Sequence, residues 1–121
     1  MDHDNLDNLK LRLREFADKR DWDQFHSPKN LSMALIAEAA ELIEHFQWLT
    51  QDQSDNLPAD KLKEVEHELA DILNYVIRIS DKLGIDLIKA ANEKIEINEE
   101  KYPAGQVKGS AKKYDEYWGV S

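Results

Sequence analysis

Two pairs of acids, Glu38/Glu41 and Glu68/Asp71, sit inside runs that are otherwise apolar. The first pair is framed by Ala34-Leu35-Ile36-Ala37 and Leu42-Ile43, and the second by Leu69-Ala70 and Ile72-Leu73. At about 100° per residue of an α-helix, the two acids of each pair lie roughly 60° apart, so each helix carries two carboxylates on one face among hydrophobic neighbours. On a helix continued past residue 48, Trp48 falls about 20° from Glu41, and Tyr75 falls inside the arc set by Glu68 and Asp71. Two such faces opposed would gather four carboxylates. Desolvating each unpaired anion costs several kcal/mol, and Arg78 is the basic residue these apolar segments offer nearby. The acids must therefore take up protons or coordinate a cation. An all-oxygen ligand set suits a hard divalent ion, Mg²⁺ above all, with Mn²⁺ or Ca²⁺ as substitutes.

The rest of the chain supplies helices to carry these faces. Residues 5 to 20 place Leu6, Leu9, Leu13, Phe16 and Ala17 among charged residues with helical spacing. Ser27 followed by Pro28 marks an N-cap and a first helical residue, which predicts a second helix from 28 to about Thr50. Gln51 to Pro58 reads as a polar, mobile surface loop. A third helix is predicted from Ala59 to Leu83, closed by Gly84 in the left-handed conformation. Asp86 can cap a fourth helix, bounded by Pro103. Four helices with short connections predict an all-α four-helix bundle. Residues 104 to 121 lack a clear period and read either as a flexible tail or as a C-terminal arm bringing Lys108, Lys112 and Lys113 to an anion.

At 121 residues, the chain suits a single domain that gains from self-association. It has no apolar run of the roughly 18 to 20 residues a membrane span needs. Its N-terminus, Met1-Asp2-His3-Asp4-Asn5, lacks the basic start and apolar core of a secretory signal, so a cytoplasmic location is expected. A net charge of −9 argues against nucleic-acid polymers and anionic lipid as partners. A small anion could still bind where metal ions neutralise it. Absence of cysteine removes disulfides and thiolate metal ligands.

Other residues invite chemistry less strongly. Glu64-Val65-Glu66-His67 contains one Glu-x-x-His element, but di-iron bundles need two. Glu44 is read as a rim residue, and His26 and His45 as surface or loop-anchoring side chains. Lys94, Asn98 and Lys101 share an arc of about 60° on the fourth helix; they form either a solvated stripe or donors to phosphate and sugar groups. Trp22 and Trp48 are either core residues or stacking platforms for a flat base.

The run Arg20-Asp21-Trp22-Asp23-Gln24-Phe25-His26-Ser27-Pro28, then Glu38-Ala39-Ala40-Glu41 with Phe46-Gln47-Trp48, Glu68-Leu69-Ala70-Asp71 with Tyr75, and Lys94-Ile95-Glu96-Ile97-Asn98 resembles the MazG-like nucleoside triphosphate pyrophosphohydrolases, in particular their dCTP pyrophosphatase branch. The resemblance covers nearly the whole chain. It differs in Ala39-Ala40, where the family often has Val-Gly. The resemblance implies a dimer or dimer of dimers that hydrolyses a nucleoside triphosphate, such as dCTP, to the monophosphate and pyrophosphate with Mg²⁺. It further implies Glu38, Glu41, Glu68 and Asp71 as metal ligands, and Trp22, Trp48, Tyr75, Lys94 and Asn98 as substrate-binding residues. Glu41, with Glu38 beside it, is then the candidate for activating the attacking water. The same reaction on dUTP or dATP, or a non-catalytic bundle whose acids bind a cation or a basic partner, remains open on the residues alone.

Overall fold

A computed structural model describes residues 5–109 of the 121-residue chain. The first helix, α1 (Leu6–Lys19), begins where the Asn5 side chain accepts a hydrogen bond from the Asn8 N–H at 2.9 Å. It stops at Arg20, and Asp21 follows with φ of 55°, a left-handed conformation that Asp tolerates better than most residues. That reversal sends the chain back over α1 into a 3₁₀ turn, Asp23–Phe25. Ser27 then caps α2 (Pro28–Glu44) by accepting from the Asn30 N–H at 3.1 Å, with proline in the first turn as the sequence predicts.

The second helix is shorter than predicted. It ends at Glu44 rather than near Thr50, and residues 51 to 58 are not all loop, because α3 (Gln51–Asp55) forms there. The cause is Thr50, whose backbone is extended and whose hydroxyl accepts from the Gln53 N–H at 3.1 Å while Gln53 Oε1 accepts from the Thr50 N–H at 2.9 Å. This reciprocal capping box satisfies two otherwise unpaired amides and starts a new helix. It removes Trp48 from α2, so the expected shared helical face with Glu41 does not exist.

The long helix α4 (Ala59–Leu83) ends as predicted at Gly84, which takes φ of 67°, and Asp86 caps α5 (Leu87–Lys101) through the Lys89 N–H at 3.1 Å. A short α6 (Ala104–Val107) follows Pro103. The all-α class and the four long helices are thus as expected. Lys112, Lys113 and the aromatics of the predicted arm lie outside the described residues. The fold divides into two compact units at the boundary between Ile85 and Asp86.

In the first unit α4 is the shared support, with α2 packed along it and α1 against it. Arg14 on α1 holds Asp81 on α4 through Nε at 3.0 Å and Nη2 at 2.6 Å, the two-pronged geometry that makes an Arg–carboxylate contact directional. The apolar interior is small: Ala17, Leu31, Val65 and Ile77 are its buried hydrophobic residues. Many large apolar side chains stay exposed, among them Met33, Ile36 and Ile43 on α2 and Leu62, Leu69 and Leu73 on α4. Among the described residues, no helix is long and apolar enough to cross a membrane.

So small an interior makes each member costly to remove. Leu31, only 1% exposed, is expected to lose about 2–5 kcal/mol of unfolding free energy as Leu31→Ala, read from urea denaturation. A loss under about 1 kcal/mol would show that the α2–α4 contact is not what holds the first unit.

Candidate active site

Glu38 lies about 20° round α2 from the buried Leu31, so it shares the side that packs on α4. From α4, Glu68 meets it. Glu38, Glu41 and Glu68 each offer a carboxylate oxygen within 4.8 Å of the others. One oxygen of Glu38 and one of Glu68, Oε2 in each case, are buried without a hydrogen-bond partner among the described residues. Buried carboxylate oxygens are rarely left unpaired.

The electrostatics agree with this crowding. Glu38 is pushed up to about 7, first by its hydrogen-bonding approach to the Glu68 carboxyl, then by burial and by Glu41 and Asp71. Glu68 is lowered by Glu38, but burial and the charges of Glu41 and Asp71 outweigh this and leave it above the ordinary carboxylate range. Among the described residues, no lysine or arginine is among the groups that shift Glu38 or Glu68. Arg78, the cation nearest in sequence, spends its charge elsewhere: Nη2 donates to Asp23 Oδ1 at 3.0 Å. The donor set is therefore all-oxygen, anionic and short of protons or partners, which fits a hard divalent cation.

Three of the four expected acids thus converge, and Asp71 stands beside them. It is exposed and one turn on from Glu68, and its charge helps to raise Glu38, Glu68 and Tyr75. Asp71 also lines a cavity of about 290 Å³ with Tyr75, Trp22, Phe16 and Asn74. Burial, then the charges of Glu38 and Asp71, push the Tyr75 hydroxyl upward, so it stays protonated and can donate. Going round α4 from the acids, roughly 20° to Tyr75, 60° to Asp71, 80° to Arg78 and 140° to Asp81, the helix leads from the acid cluster past the cavity to α1.

Trp22 reaches this cavity because the Asp21 reversal folds it onto α1. Its N–H donates to the Ala17 carbonyl at 2.9 Å, and its ring meets Phe16 edge to face with centroids 5.8 Å apart. Arg20 covers the Phe16 ring at 3.7 Å, fixing the aromatic wall. Trp48 is not in this cavity: it follows the end of α2 and is 86% exposed. Lys94 and Asn98 are exposed on α5, in the second unit.

The competing Glu-x-x-His element takes no part in the cluster. Glu64 contacts Lys61 at 3.2 Å and His45 at 3.7 Å, while Glu66 contacts Lys63 at 3.1 Å. His26, expected as a surface or loop-anchoring side chain, lines the cavity, as do Asn74 and Phe16, which the sequence does not single out as site residues. Asn74 sits one position before Tyr75 in a polar break of an apolar run, a signal that was available.

A model of the MazG-like family matches residues 34–117 of this chain. Human dCTP pyrophosphatase 1 is 37% identical over 114 residues, which make up 92% of this chain and 66% of that protein. The mouse protein of the same name is 37% identical over 111 residues, 90% of this chain and 65% of its own. The chain therefore spans about two thirds of the length of these curated relatives. A pyrophosphatase from Archaeoglobus fulgidus has the same fold, with a TM-score of 0.78 and 40% identity covering 85% of this chain and 96% of that one.

The raised Glu38 gives a pH signature. Its folded value of about 7 lies above the ordinary 4.5, so the folded chain keeps a proton that the unfolded chain has lost. The stabilisation is full below pH 4.5 and disappears as pH rises through about 7. In chelator, the melting temperature is expected to fall across that window, and Glu38→Gln to flatten the fall. An unaltered slope in the variant would show that the acids do not crowd one another.

Proposed function

The chain belongs to the MazG-like family, and on that premise we propose that it is a Mg²⁺-dependent pyrophosphohydrolase converting a deoxynucleoside triphosphate, dCTP or a modified dCTP, to the monophosphate and pyrophosphate. The observation that carries this reading is the pair of facing, partnerless carboxylate oxygens of Glu38 and Glu68 beside an aromatic-walled cavity. The name dCTP pyrophosphatase 1 borne by the mammalian relatives points to the substrate. Mn²⁺ could replace Mg²⁺ on the same oxygens. A cytoplasmic place in keeping the nucleotide pool clean suits this activity.

Glu38, Glu41, Glu68 and Asp71 would hold the ion, which when bound offsets triphosphate charge and polarises the α-phosphorus. Trp22 offers its face to the base, and Tyr75 donates from the cavity wall between base and acids. Glu41, the exposed member of the cluster, takes the proton of the attacking water, with Glu38 beside it. The water oxygen bonds to the α-phosphorus as the α–β anhydride bond breaks. Pyrophosphate leaves, and the family resemblance assigns Lys94 and Asn98 to phosphate or sugar groups. No side-chain nucleophile is required, since positioning and charge neutralisation suffice for this class of reaction. Trp48, so exposed on one copy, serves as a base platform only once a ligand or a second copy covers it.

Self-association belongs to the same proposal. Met33, Ile36 and Ile43 fall within an arc of about 80° on α2, and Leu62, Leu69 and Leu73 within about 40° on α4. Two exposed apolar stripes on a unit with a small interior fit burial against a second copy. Light scattering is expected to give the mass of a dimer or a dimer of dimers; a monomer at working concentration would contradict this.

For the activity, the protein with Mg²⁺ and dCTP is expected to release dCMP and pyrophosphate. Glu38→Gln and Asp71→Asn are each expected to lower turnover about a hundredfold or more, since ligand loss forfeits several kcal/mol of charge stabilisation. Full turnover in either variant, or in chelator, would overturn the proposal.

A further inference from the structure

The cavity has a polar wall that the reaction above does not use. His26 and Arg78 both line it. Arg78 is only 5% exposed, and besides holding Asp23 its Nη2 lies 3.3 Å from His26 Nδ1. A guanidinium has five donors and no acceptor. The contact can only run from Arg78 to a lone pair on Nδ1, so the proton of the neutral ring sits on Nε2. Burial, then the charges of Arg78 and Lys82, outweigh Asp23 and hold the ring below its ordinary value, which favours the neutral form.

The holder is itself held. Asp23 also accepts from Lys82 Nζ at 2.8 Å, which clamps the 3₁₀ turn to α4 from a second direction. Arg78 Nε is buried with no hydrogen-bond partner among the described residues.

We propose that Arg78 is a positioning residue that locks His26 as its Nε2–H tautomer, so that the cavity selects bases presenting an unprotonated ring nitrogen to that wall. The inference rests on the nucleotide reading above and deepens it. Cytosine carries a lone pair at N3 beside its O2 carbonyl; uracil and thymine carry N–H at N3. A fixed donor facing N3 pairs with the first and meets a second donor in the others, and a buried donor without an acceptor is costly. The discrimination comes from a tautomer, which stacking on Trp22 alone could not provide.

The test begins without nucleotide. Long-range ¹H–¹⁵N spectra of the labelled protein, with His26 assigned by its loss in His26→Phe, are expected to show Nδ1 unprotonated and Nε2 protonated. A protonated Nδ1 overturns the proposal. Arg78→Gln, whose amide can accept as well as donate, is expected to mix the tautomers, raise KM for dCTP about tenfold with a smaller change in kcat, and erode the preference for dCTP over dUTP by a similar factor. Arg78→Lys, again a donor only, is expected to restore the tautomer and most of the preference. Unchanged tautomer and preference in Arg78→Gln overturn the proposal, as does a wild-type protein that turns over dCTP and dUTP equally. Should Arg78→Gln fail to fold, His26→Phe replaces it, and retention of the full dCTP preference there overturns the proposal. A protein that turns over no nucleotide sinks the pyrophosphohydrolase reading, while the tautomer measurement still reports on Arg78 and His26.

Discussion

The repulsion between carboxylates of α2 and α4 is the constraint around which the first unit is arranged. Helix packing forces Glu38 and Glu68 to face one another because they occupy the same sides as the residues that bury. Like charges at that distance are tolerated in two ways: a proton is retained, which is why Glu38 sits near 7, or a cation takes its place. Arg78 is committed to Asp23 and Arg14 to Asp81. The fold thus stores an unmet demand for positive charge at one place.

The two ion-pair systems have a complementary task. Arg14–Asp81 and the Arg78–Asp23–Lys82 group tie α1 and the 3₁₀ turn to α4, and that tie carries Trp22 to the cavity. Glu38 and Glu68 each keep a buried oxygen without a partner among the described residues, while Asp81 and Asp23 are paired. Asp81 and Asp23 are both held low, Asp81 first by Arg14 and Asp23 first by Lys82 and Arg78, whereas Glu38 and Glu68 are held high. One helix therefore separates a structural side from a reactive side, with Tyr75 and Asp71 at the border.

Much of this was legible in the residues. Glu-x-x-Glu and Glu-x-x-Asp within apolar runs announce a shared face by spacing alone, and Ser27-Pro28, Gly84 and Asp86 mark helix ends through local backbone chemistry. The end of α2 was not read correctly, because no Gly or Pro marks it; the signal was the Thr50–Gln53 capping box, hidden in a stretch whose polarity suggested a loop. That one boundary moved Trp48 off the helix. His26 and Arg78 were out of reach for a different reason. Fifty-two positions separate them, so their contact follows from the Asp21 reversal and the packing of the turn on α4, which no local pattern encodes.

The central claim is that a divalent cation replaces the missing positive charge between α2 and α4. Crystals grown with Mn²⁺ and measured for anomalous scattering test it directly. The account predicts a peak bounded by the carboxylates of Glu38, Glu41 and Glu68, with Asp71 turned toward it. A map with no peak there, and those carboxylates paired with lysine or arginine side chains, would contradict it.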